Sequence, residues 1–120
     1  MGRNYIVAAA ILSLCAIGSE ASASPRMISA TPGAQSVVSA PTSLRILFSE
    51  PLALAASGAA IASDKGQAMA TGKPALNGTN PRQIVIPITA TMDPGTYTVA
   101  WFAVGRDAMR VTGTFQFQVK

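Results

Sequence analysis

Near its C-terminus the chain reads AWFAVGRDAMRVTGTFQFQVK, and the run Gly105-Arg106-Asp107-Ala108-Met109-Arg110 interrupts two segments that alternate between apolar and polar residues. A carboxylate with a thioether two residues on suits half of a metal site, because aspartate offers a hard oxygen and methionine a soft sulfur. The same carboxylate suits a salt bridge to Arg106 or Arg110, or a turn in which it accepts a backbone hydrogen bond. Met109 equally suits gap-filling at the end of a packed core. Glu50, in Phe48-Ser49-Glu50-Pro51, reads as a turn residue with a solvated carboxylate. No second acid or base stands near it in sequence to share acid–base work.

What is missing narrows the chemistry further. The 120 residues contain no histidine and a single cysteine, Cys15. Residues 1–23 have the layout of a secretory signal: Arg3, an apolar stretch IVAAAILSLCAI over residues 6–17, and the small-x-small site Ala21-Ser22-Ala23. That stretch is shorter than the roughly 20 residues a bilayer span needs, so no membrane anchor is expected. Lipidation at Cys15 is disfavoured by the bulky Leu14 before it. The expected mature chain therefore starts at Ser24 and is exported to a bacterial periplasm without cysteine. Lacking imidazole and thiol, it cannot build the commoner zinc sites, a serine–histidine or cysteine–histidine nucleophile pair, or a histidine general base. It is not expected to be an enzyme.

Residues 24–120 are enough for one small domain and leave no room for a second. Their charge is +4, from Arg26, Arg45, Lys65, Lys73, Arg82, Arg106, Arg110 and Lys120 against Glu50, Asp64, Asp93 and Asp107. These cations stand singly with no aromatic interleaving, which argues for a solvated basic surface and against nucleic acid as a partner.

The elements that must hold these residues repeat with period two. In SLRILFSEP, Leu44, Ile46 and Phe48 share a face; in RQIVIPIT, Ile84, Ile86 and Ile88 do. Pro87 cannot donate to a ladder, so the second strand is expected at an edge, or with its proline at an unpaired position. The run GTYTVAWFAV sets Tyr97, Val99, Trp101 and Ala103 on one face and becomes apolar on both in its second half, the mark of a central strand. Tyr97 and Trp101 are read as core residues rather than a sugar platform. In VTGTFQFQV, Val111, Phe115, Phe117 and Val119 alternate with Thr112, Thr114, Gln116 and Gln118. The stretch LALAASGAAIAS after Pro51 has room for a helical turn but reads as an irregular crossing between sheets. With Pro, Gly and Asn turns between the runs and no long helical pattern, the fold predicted is an all-β, Ig-like β-sandwich of about seven strands, of Greek-key type.

Several of these stretches fall in the order of one known family. Ser24-Pro25-Arg26-Met27, Ser29-Ala30-Thr31-Pro32, Leu44 to Pro51, Gly95 to Trp101, Asp107 to Gly113 and Phe115 to Val119 together resemble the CopC family of periplasmic copper-resistance proteins. The resemblance spans essentially all of residues 24–120. It implies a small Ig-like sandwich that carries copper, with a copper ion and an inner-membrane copper transporter as partners, acting as a monomer.

In that family Cu(II) is held by the mature N-terminal histidine with its free amine and by an Asp-x-His pair before the last strand. The corresponding positions here are Ser24, Asp107 and Met109. Many members add a methionine-rich loop for Cu(I); this chain has only Met69 in that region. Cu(II) favours nitrogen donors in a tetragonal arrangement, and a carboxylate and a thioether substitute poorly. Pro25 has no amide proton to lose, and Arg106 and Arg110 repel an approaching cation. The expectation is a degenerate Cu(II) site with at most weak Cu(I) binding at Met109, joined by Met27 or Met69 if the fold brings one near. The alternative is an interaction module that binds no metal and docks on a membrane transporter or another envelope protein. A copper oxygenase, which also uses an N-terminal histidine, is ruled out.

Overall fold

A computed structural model describes residues 24–120; the expected signal, residues 1–23, lies outside the described residues. Eight strands form two four-stranded sheets. Met27–Thr31 (β1), Ser43–Phe48 (β3), Asn80–Pro87 (β6) and Ala75–Asn77 (β5) make one sheet in the order β1-β3-β6-β5. The other, in the order β2-β8-β7-β4, is made by Val37–Val38 (β2), Arg110–Val119 (β8), Gly95–Val104 (β7) and Gly58–Ser63 (β4). All pairings are antiparallel except β2 with β8. Only β5–β6 and β7–β8 are hairpins between sequence neighbours; the other connections cross between the sheets, as a Greek-key sandwich requires.

The alternation read from the sequence decides which face is core. Leu44, Ile46, Phe48, Ile84 and Ile86 from the first sheet, with Ile88 just beyond β6, meet Tyr97, Val99, Trp101, Ala103, Phe115, Phe117 and Val119 from the second, all buried. Phe48 packs edge-on to Trp101 at 5.2 Å between centroids, and Tyr97 stacks on Phe117 at 5.8 Å. Trp101 pairs in register with Gly113, and a Cβ built on that glycine would lie 2.3 Å from the indole. Gly113 is thus an inward position of β8 left empty for the tryptophan.

Two sequence expectations change. The strand containing Pro87 is interior, between β3 and β5. Only the edge alternative fails; the other holds, because Pro87 is the last residue of β6, beyond the point where β5 pairing stops at Val85. The stretch after Pro51 is not irregular throughout: a 3-10 turn at Leu54–Ala56 is followed by β4, which pairs along six residues of β7. Alanine has little strand propensity, but an unpaired edge of β7 facing a buried Ile61 overrides it.

That crossing also positions the hairpin end. Ala53 donates its amide to the carbonyl of Val104 at 2.8 Å, and Val104 donates its own amide to the buried Ser57 hydroxyl at 3.0 Å. The last residue of β7 is therefore held on both its polar groups, which sets where residues 105–109 leave the sheet.

Candidate metal centre at the hairpin end

Residues 105–109 close the β7–β8 hairpin. Ala108 donates to the carbonyl of Gly105 at 3.2 Å and has φ 62°, a left-handed turn conformation taken here by a residue other than glycine. Asp107 Oδ1 accepts from the Met109 amide at 3.1 Å, closing an Asx turn two residues on. Asp107 Oδ2 accepts from the Ser24 hydroxyl at 2.6 Å, across 83 residues of sequence. The Ser24 hydroxyl first, and the Met109 amide second, hold the Asp107 carboxyl below its ordinary pKa by stabilising the charged form.

The segment carrying Ser24 is built into this end rather than draped over it. Pro25 is fully buried. Arg26 donates its amide to the Ser49 hydroxyl at 2.9 Å and receives the Ser49 amide on its carbonyl at 2.9 Å. Glu50, the next residue, is therefore carried to the same end of the sandwich as Asp107.

The geometry places the three residues named from the sequence. Ser24 and Asp107 do meet. Asp107 acts as a turn residue, and its hydrogen-bond donors are Ser24 and Met109 rather than the flanking arginines; Arg110 lies over the Phe102 ring at 4.5 Å. Met109 does not fill a gap in the core, since it is 62% exposed. The left-handed turn at Ala108 and the Asx bond fix its amide, while its side chain projects into water.

Met69 is not brought to Met109. It lines a cleft of about 340 Å³ with Asp64, Asp93 and Tyr97, at the start of β7, whereas Met109 follows the end of β7. The Met69 amide donates to the carbonyl of Ile61 at 2.8 Å, and Ile61 pairs with Val99 in the middle of β7, five residues and roughly 17 Å along the strand from Val104, where the hairpin loop begins. In the same cleft the Tyr97 hydroxyl donates to the carbonyl of Asp93 at 2.7 Å; burial first, then the charges of Asp93 and Asp64, push its pKa up. Met27 packs against the core. Among the described residues no three acidic, histidine or cysteine side chains are grouped to hold a metal.

The CopC domain family matches residues 27–120. Copper resistance protein C of Escherichia coli is 34% identical over 106 residues, covering 83% of this chain and 84% of that protein. The chain belongs to the CopC family.

Copper resistance protein C of Pseudomonas syringae pv. tomato is likewise 34% identical over 105 residues, covering 83% of each chain. Protein YobA of Escherichia coli K12 is 33% identical over 84 residues, 70% of this chain and 68% of that one. The crystal structure of PcoC, a methionine-rich copper resistance protein from Escherichia coli, superposes with a TM-score of 0.75 at 33% identity, over 82% of this chain and all of PcoC. This CopC domain thus has the PcoC sandwich. At the positions where the sequence resemblance places the family's Cu(II) ligands, it has a serine hydroxyl already bonded to the aspartate and a solvent-exposed thioether.

Proposed function

We propose that this CopC-family protein is a periplasmic copper-homeostasis protein, exported after cleavage before Ser24, whose Cu(II) site is degenerate. The observation that carries the reading is the state of Asp107. Both of its carboxylate oxygens accept hydrogen bonds, from Ser24 Oγ and the Met109 amide, and no imidazole exists in the chain to complete a tetragonal set. A Cu(II) ion arriving here must displace the Ser24 hydroxyl and finds one carboxylate, one α-amine and no amide nitrogen from Pro25. The donors present do not fit a tight Cu(II) site.

Cu(I) is served differently. It accepts thioether sulfur, and Met109 presents one free of packing contacts with the core. A single soft donor gives a weak contact, suited to transient hand-over rather than storage, and an inner-membrane copper transporter is the partner such hand-over would use.

The test is a titration of the protein beginning at Ser24, with Cu(II) followed by spectroscopy or calorimetry and with Cu(I) under reducing conditions. Weak Cu(I) uptake that disappears in Met109→Leu, with Cu(II) far weaker than in a histidine-bearing relative, is expected. Tight one-equivalent Cu(II) binding abolished by Asp107→Ala would overturn the degenerate site. Binding of neither ion would leave the docking module as the better account of the fold.

A further inference from the structure

The four methionines of the described residues sit in very different surroundings. Met92 is in the core at 5% exposure, Met27 and Met69 are partly buried and packed against it, and Met109 stands 62% exposed on the hairpin loop. Thioether oxidation follows access to sulfur, because the oxidant must approach a sulfur lone pair in line with the bond it breaks. We propose that Met109 is a modification site, the methionine that two-electron oxidants convert first to the sulfoxide, and that this conversion switches off the soft donor of the hairpin loop. The second half of the proposal rests on the Cu(I) reading above; the first half does not.

The chemistry balances with a hydroperoxide as the oxidant, hydrogen peroxide being the simplest. The Met109 sulfur attacks one peroxide oxygen, the S–O bond forms as the O–O bond breaks, and sulfur is oxidised by two electrons. The departing hydroxide takes the proton of the transferred oxygen and leaves as water. The product presents a polar oxygen in place of a polarisable sulfur, and Cu(I) prefers the sulfur.

The structure also limits the damage. Met109 contributes its amide to the Asx turn, and that bond to Asp107 is made by the backbone and survives a change at sulfur. Sulfoxide at Met92 would instead place a polar group in the core. Oxidation confined to Met109 therefore leaves the fold intact, which is what a reversible site needs.

Treating the protein that starts at Ser24 with limiting hydrogen peroxide, and following each methionine by peptide mass spectrometry, tests the order. Met109 sulfoxide is expected to accumulate several-fold faster than that of Met27 or Met69, with Met92 last and the melting temperature unchanged while only Met109 has reacted. Equal rates, or another methionine reacting first, would overturn the site. Cu(I) retention against a competing chelator is then read before and after this partial oxidation. A fall that methionine sulfoxide reductase restores supports the switch. Retention that persists with Met109 fully oxidised sinks it, and no retention by the untreated protein sinks both the switch and the Cu(I) reading, leaving the oxidation order standing on its own measurement.

Discussion

At the scale of the residue, Asp107 is an acceptor whose two oxygens are both engaged, and its titration reports that directly. Ser24→Ala removes the larger of the two stabilising bonds, so the Asp107 pKa is expected to rise toward the ordinary carboxyl value. A carboxyl-carbon NMR titration reads this, and an unmoved pKa would show that the Ser24 contact is not made in solution. The same bond predicts a pH dependence. Because the folded pKa lies below the unfolded one, the unfolded chain binds the proton more readily. The stabilisation is therefore complete above about pH 4 and is lost as pH falls through the folded value. Asp107→Asn should melt below wild type at neutral pH, and the two melting curves should converge in acid. Of this arrangement the sequence showed a carboxylate in a turn, since Gly105 and Asp107 are turn residues by type. It did not show the left-handed Ala108, because alanine carries no signal for that conformation.

At the scale of the element, the hairpin depends on two small residues that a propensity argument would replace. Gly113 lies in mid-strand, where glycine normally weakens a sheet, yet a methyl group there would overlap the Trp101 indole. Gly113→Ala is expected to destabilise by about 1–3 kcal/mol, read as a lower denaturant midpoint with an unchanged slope; a stabilised variant would show that Trp101 packs elsewhere. Ser57 is buried and accepts the Val104 amide that begins the loop. Ser57→Ala strands that donor, at about 1–3 kcal/mol, and urea unfolding with amide exchange at Val104 would detect both the loss and the local opening. The hairpin strands themselves were legible because β7 and β8 each run ten residues with clear alternation. β2 and β5, at two and three residues, are too short for any period to declare itself, and β4 is written in alanine.

At the scale of the whole molecule, stability rests on one core without covalent help. The described residues contain no cysteine, so no disulfide restrains the unfolded chain. Domains of this size are stable by about 5–15 kcal/mol. Phe48 is fully buried and meets Trp101 across the sandwich, so Phe48→Ala should cost about 3–5 kcal/mol. A variant that keeps the wild-type midpoint in chemical denaturation would contradict this account of the core.

The faces of the long strands, the absence of imidazole donors for Cu(II) and the resemblance to the CopC family were all legible in the order of residue types. Each is either a local periodicity or a count, and neither needs the chain to be folded. Tertiary structure alone decided that the Ser24 hydroxyl donates to the Asp107 carboxylate, that Ser49 draws Glu50 to the same end, and that Met69 lies level with the middle of β7 rather than beside Met109. Those relations depend on which loops the crossings between two sheets bring to each end of the sandwich. They join positions as far apart as 83 residues, and no period in the sequence spans that distance.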